Sequence, residues 1–218
     1  ERDAITTPAA GLIVWCTNCG SDGEVQVFNG TIWTNIIGDA AAEVPPQVGD
    51  FRDGGVVFYI APTPTDLNGD GILDNGLVCA VEDQSVGIQW SNGSNTVTGA
   101  TATAIGTGAA NTTTIIQDQG ATQTDYAAGL AKAYNGGGFN DWFLPSKDEL
   151  NEIYQNRTEI DNTSVANGGS NLAGYTYYWS STETAKKYAW IQPINFGSQS
   201  PNGLKSATSY NVRAIKAF

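Results

Sequence analysis

Cys16 and Cys19 stand in "WCTNCG", and Trp-Cys-x-x-Cys can do redox chemistry or supply half of a metal site. Redox use needs the first thiol at a helix N-terminus, where the dipole lowers its pKa. Here "GSDGEVQVF" follows, a turn and then a strand, and no proline separates the cysteines. Zinc would need a further pair of ligands. The chain has no histidine, and its third cysteine, Cys79, lies inside the apolar run "GLVCAV". The expected state is a local Cys16–Cys19 disulfide that stiffens a turn, with Cys79 a buried small hydrophobe.

The second candidate is "DLNGDGILDNG". Asp66, Asn68 and Asp70 alternate, Gly71 permits a sharp turn, Ile72 can offer a carbonyl, and Asp74 follows. That is the ligand order of a calcium loop, in which hard oxygens converge on one ion. Position twelve is Leu77 rather than a bidentate glutamate, so one strong ligand is missing, and Glu82 or Asp83 is the nearby candidate. The bland alternative is a solvated Asn/Gly/Asp hairpin loop that needs no ion. Calcium of extracellular, weak-affinity type is the favoured cofactor.

The absence of histidine also removes Ser-His-Asp and Cys-His catalysis. No motif brings two carboxylates together for acid–base work, so no enzymatic activity is expected. The 218 residues carry a net charge of −12, which disfavours nucleic acid and anionic glycans as partners. No apolar run reaches membrane-span length, so no membrane insertion is expected. The opening "ERDAITTPAAG" reads as a fragment of a longer precursor.

The elements that must position these residues are β-rich. Hydrophobic residues make up 40% of the chain and charged ones only 15%, which allows a real core with few long surface helices. Residues 1–44 read as a small β module, with "EVQVFNGTIWTNIIG" alternating around Asn29-Gly30 and "AAAEVPPQVGD" as the linker. Residues 48–218 read as one α+β domain. Strands "GGVVFYIAP" and "GLVCAVED" flank the acidic loop, and "NTTTIIQDQG" and "TDYAAGLAKAYNGGG" form two short helices. In "PSKDELNEIYQNRTEI", Ser146 and Glu149 form a capping box and Leu150, Ile153 and Tyr154 an apolar stripe. "YYWSST", "YAWIQPINFG" and "SYNVRAIKAF" are the closing strands. Trp142, Phe143 and Leu144 of "NDWFLP" should be core, as should Trp179 and Trp190.

"VGDFRDGGVVFYI", "GLVCAVEDQSVGIQWSNG", "TGATATAIGTGAANTTTII", "GGGFNDWFLPSKDELNEIY", "YYWSSTE", "YAWIQ" and "YNVRAIKAF" follow one another in order. Together they resemble the C-terminal domain of the Legionella collagen-like adhesin family, from about Val48 to Phe218. The resemblance implies a C-type-lectin-like variant and a role in adhesion at a bacterial surface, including glycosaminoglycan binding by a trimer. It does not carry over a calcium–sugar site, because "FNDWF" and "QPIN" are not the lectin motifs. The N-terminal stretch resembles one common in secreted proteins of the Bacteroidetes type.

In such folds the late strands form the ligand surface. Glu183, Lys186, Tyr188, Gln192, Asn195, Gln199 and Asn202 are the candidate ligand-binding residues, able to stack on and hydrogen-bond a surface glycan or protein receptor. The leading reading is a secreted or cell-surface binding module. The runner-up is a subunit of an extracellular filament, with self-association as a trimer or polymer and strand addition through the N-terminal module. An enzyme like the sulfatase-modifying relatives of this fold is disfavoured by the missing histidines.

Overall fold

In a computed structural model, the structure describes residues 5–17, 19, 23–35, 45–120 and 124–218. The chain divides into two compact units, Glu1–Pro46 and Gln47–Phe218.

The described residues of the first unit form a three-stranded antiparallel sheet of β1 (Ile13–Cys16), β2 (Glu24–Phe28) and β3 (Trp33–Asn35). The β2–β3 turn forms because the Asn29 carboxamide oxygen accepts the Thr31 and Ile32 amides, each at 2.9 Å. Cys16 and Cys19 are joined by a disulfide at a Cα–Cα distance of 5.4 Å. So small a loop stabilises by about 2 kcal/mol on chain-entropy grounds and holds one turn rather than a fold. Mass spectrometry after alkylation without reductant should find both sulfurs blocked; two alkylated thiols there would overturn the pairing.

The second unit is α+β. One antiparallel sheet has the order β10 (Ile215–Ala217), β6 (Asp74–Ala80), β5 (Gly55–Thr65), β4 (Phe51–Arg52). The final strand thus pairs with an early one, Ile215 opposite Cys79. The two-residue side-chain period explains why this sheet is buried on both faces. Val56, Phe58, Leu77 and Cys79 pack with Leu150, Ile153 and Ile160. Val57, Val78 and Ala80 pack with Trp90, Trp142 and Trp179. A second antiparallel sheet has the order β7 (Tyr177–Ala185), β8 (Tyr188–Pro193), β9 (Ser200–Leu204).

Among the described residues four α-helices complete the unit: α1 (Gly108–Gln119), α2 (Ala127–Ala133), α3 (Lys147–Gln155) and α4 (Arg157–Ala166). The α3 capping box forms as its sequence predicts: Ser146 Oγ accepts the Glu149 amide and the Glu149 carboxylate accepts the Ser146 amide at 2.6 Å. The single helix expected through Ile160 is instead two, broken at Asn156, whose Nδ2 donates to the Phe58 carbonyl across the core. Strand β9 lies in "SPNGL", which reads locally as a turn; pairing with β8 overrides that preference. Trp142, Phe143, Leu144 and Trp179 are core. Trp190 is only half-buried, with Lys147 Nζ 5.2 Å from its ring centre.

Candidate functional site

The acidic loop joins β5 to β6 and is built from its own backbone. Asp66 accepts the Gly69 and Gly71 amides at 2.6 and 3.0 Å, and these bonds, Gly69's foremost, hold its carboxyl below the usual range. Asn68 Oδ1 accepts the Asp70 amide at 2.9 Å, and Asp70 Oδ1 accepts the Ile72 amide at 2.7 Å. Asp74 is turned inward, clasping the Leu67 amide at 2.8 Å, and burial raises its pKa. The donor set suits a hard cation, but among the described residues no group of three or more His, Cys, Asp or Glu is gathered to hold a metal ion.

The residues expected to supply the missing ligand do other work. Asp83 is bound inside the unit by Arg213 Nε at 2.7 Å and by Tyr178 Oη and Asn211 Nδ2 at 2.8 Å each. Glu82 lines a separate cleft with Tyr134 and Asn135. What Asn68 and Asp70 face across a small cleft is Asp141 and Lys132. Burial pushes the Cys79 thiol up to about 12, so it stays a protonated core group.

Two of the late-strand ligand candidates are not on the surface. Glu183 is buried and ion-paired to Lys205, and its two oxygens accept the Thr98 and Gly99 amides at 3.0 Å. Register shifts between Trp179 and Glu183, and again between Glu183 and Ala185, defeat the simple in–out alternation that places Glu183 outside. Gln192 is buried too: its Nε2 donates to Asn151 Oδ1 and to the Gly197 carbonyl, each at 3.0 Å. Gln199 is half-buried and donates to the Lys147 carbonyl at 2.6 Å and Gln192 Oε1 at 3.1 Å. Together Gln192 and Gln199 tie the β8–β9 connection to α3.

Lys186, Tyr188, Asn195 and Asn202 are exposed, but they do not form one site. Lys186 and Tyr188 lie at the β7–β8 hairpin, where Tyr188 pairs with Leu204. Asn195 follows the far end of β8, which at ~3.3 Å per residue is about 17 Å away.

That far end carries residues absent from the sequence-based set. Tyr175 precedes β7 and is 95% exposed; Phe196 follows β8 and is 73% exposed. Their two connections touch: a methyl group on Gly174 would lie 2.5 Å from Asn195 Oδ1. Both are held firmly. Ala173 N donates to Tyr178 Oη at 2.7 Å, and Thr176 Oγ1 to the Ser209 carbonyl at 3.0 Å. Gly197 closes the other turn onto the Pro193 carbonyl at 3.0 Å, and its positive φ of 69° and the adjacent Tyr154 ring leave no room for a side chain. Tyr177, stacked edge-on to Tyr210 at 5.4 Å, completes the aromatic end. A signal was available in the sequence: residues 162–182, 188–204 and 206–212 contain no Asp, Glu, Lys or Arg.

No helix among the described residues is long and apolar enough to cross a membrane. No curated protein matches the chain. Among solved structures it is similar to a fimbrial protein from Bacteroides ovatus ATCC 8483, at 17% identity and a TM-score of 0.51, over 97% of this chain and 49% of that one. The chain therefore spans about half the length of that protein, and the likeness concerns the fold alone. The Lcl C-terminal domain model matches residues 79–216, well over half of the chain, and the chain belongs to that family.

Proposed function

We propose that this chain is a non-enzymatic, extracellular surface module that binds its ligand through the aromatic end of the β7–β8–β9 sheet. The observation that carries this reading is the exposure of Tyr175 and Phe196 on adjoining, hydrogen-bonded connections. Large apolar side chains set out in water contribute nothing to the core, but on firmly held backbone they offer what binding anchors require: contact area with little backbone entropy left to lose. We also read the second unit as a variant of the C-type-lectin-like fold, supported by the terminal strand β10 lying in the early sheet. The test is binding to whole cells with wild type beside Tyr175→Ala/Phe196→Ala. Equal binding by the two proteins would sink the site.

Anionic glycans fit poorly. Lys205, Arg213 and Lys216 are buried in internal networks, and the exposed Lys186 and Lys187 lie at the opposite end of the sheet from Tyr175 and Phe196.

A second reading, a filament subunit, is favoured by one observation: the likeness to a fimbrial protein covers 97% of the chain. The N-terminal sheet suits it, since β1 exposes Ile13 and Trp15, which alternate onto one face. Regular fibres by negative-stain microscopy, with no cell binding, would replace the first reading by this one.

Calcium belongs to the proposal as a stiffener of the early loop, on Asp66, Asn68, Asp70, the Ile72 carbonyl and Asp74. Each carboxylate keeps lone pairs beyond those used by the backbone amides. Millimolar calcium is expected to raise the melting temperature by a few degrees, about 1 kcal/mol at most for so weak a site. EDTA should reverse the rise and Asp70→Ala should prevent it. An identical melting curve with and without calcium retires the ion.

A further inference from the structure

The surface around Tyr175 and Phe196 differs in charge from the rest of the molecule. The chain carries −12, yet the stretches from which this end is drawn, within 162–182, 188–204 and 206–212, hold no Asp, Glu, Lys or Arg. The ionisable groups behind it are engaged: Asp83 is bound by Tyr178 Oη and Arg213 inside the unit. Asp161 accepts the Leu172 amide at 2.7 Å. Arg157 lies over the Tyr154 ring at 4.7 Å and donates to the Tyr154 carbonyl at 2.9 Å. What remains outward is aromatic rings, the Asn195 carboxamide, and hydroxyls such as those of Tyr175 and Ser198.

From this we infer that the ligand at the aromatic end is an uncharged polysaccharide, whose sugar rings lie on Tyr175 and Phe196 and whose hydroxyls bond to the neighbouring amide and hydroxyl groups. The inference rests on the binding role proposed above and narrows it. A sulfated or uronic-acid chain would need free cations to replace its counter-ions and water, whereas the cation at hand, Arg157, is committed to the Tyr154 ring and carbonyl. A charged protein epitope would likewise be desolvated without a partner. A pyranose has an apolar C–H face and a rim of hydroxyls. Its C–H face meets an exposed ring without loss, and each hydroxyl that leaves water finds a neutral donor or acceptor. The rigid hold on both connections, through Tyr178 Oη, Thr176 and Gly197, keeps the ordering entropy of binding low.

Electrostatics supplies the signature. Recognition by stacking and neutral hydrogen bonds is insensitive to salt, whereas capture of an anionic chain weakens steeply with it. The experiment is affinity electrophoresis of the whole chain in gels containing yeast mannan, β-1,3-glucan, xylan or starch, with heparin as the anionic comparator, at low salt and at about 0.5 M NaCl. It is run beside whole-cell binding before and after periodate oxidation of surface sugars. At least one neutral polysaccharide should retard the protein equally at both salt concentrations. Tyr175→Ala/Phe196→Ala should weaken that binding about 30-fold or more, the scale of a pair of anchor residues. Tyr188→Ala, at the opposite end of the sheet, should leave it unchanged and serves as the folded control. Retardation by heparin alone, lost in salt, overturns the ligand class. Cell binding that depends on Tyr175 and Phe196 but survives periodate leaves the site standing and removes the glycan. Cell binding unaffected by the double variant removes both, as does the absence of any binding to polysaccharides and cells alike.

Discussion

Removing either member of the buried Glu183–Lys205 pair is expected to destabilise the second unit by about 3–5 kcal/mol, the scale for orphaning one charge of a buried pair. Both side chains are out of solvent, so the survivor could not be rescued by water. Glu183 holds more than its counter-ion: it accepts the Thr98 and Gly99 amides, both at 3.0 Å. Lys205 Nζ donates to the Thr96 carbonyl at 3.0 Å and lies 4.3 Å from the Trp90 ring centre. The pair therefore pins residues 94–100, a stretch with no helix or strand of its own, against β7. Glu183→Ala and Lys205→Ala should each lower the urea midpoint sharply and speed hydrogen exchange at Thr98 and Gly99. The double variant Glu183→Gln/Lys205→Met should cost less than Glu183→Gln and Lys205→Met measured singly and summed, with a coupling of about 2 kcal/mol, because Gln keeps an acceptor for the loop and neither charge remains. Single-variant losses below about 1 kcal/mol would place the pair with ordinary surface bridges and refute its role.

The pair also marks where sequence reading stops. The β5 and β6 cores were legible, because Val56 and Phe58 alternate with Val57 and both faces are covered by apolar neighbours. The α3 cap was legible because Ser146 and Glu149 interact over three residues, a local relation. Glu183 was not, since its orientation depends on two register shifts in β7 and on partners at Thr98 and Lys205, far away in the chain. Gln192 and Gln199 misled for the same reason: polar residues on late strands look outward until α3 supplies Asn151 and the Lys147 carbonyl. The candidate ligand set held Tyr188 and Asn195 together, whereas the strand between them places them at opposite ends of the sheet. The aromatic end was half-legible. Its lack of charge is a plain property of the sequence, but that three uncharged segments meet beside Tyr175 and Phe196 is a matter of topology. The acidic loop gave its ligand types in order, yet type and spacing could not say that each side chain turns first to the loop's own amides.

The second large effect concerns pH and is centred on Glu149. This carboxyl is fully buried and, among the described residues, no ion pair engages it. It accepts the Ser146 amide at 2.6 Å, the Gly106 amide at 2.8 Å and the Gly108 amide at 3.4 Å, so it sits at the N-termini of both α3 and α1. Burial pushes its pKa up, and the N–H donors, which favour the charged form, oppose it; burial is the larger effect and the balance lies at about 7. The folded state then holds a proton more tightly than the unfolded chain, whose Glu titrates near 4.5. The stabilisation linked to that proton is fully present below pH 4.5, declines between pH 4.5 and 7, and is gone above 7. At 1.36 kcal/mol per pKa unit it amounts to about 3 kcal/mol. Other carboxylates lose native partners on acidification, so the effect must be read as a difference. Glu149→Gln keeps the size and one acceptor but cannot titrate, and it places an NH2 group among amide donors. The stability gap between wild type and Glu149→Gln should therefore widen as pH falls from 7 to 5, measured by urea unfolding at each pH. A gap that narrows over that range would mean that the three amides and two helix ends prevail over burial and keep Glu149 ionised in the core.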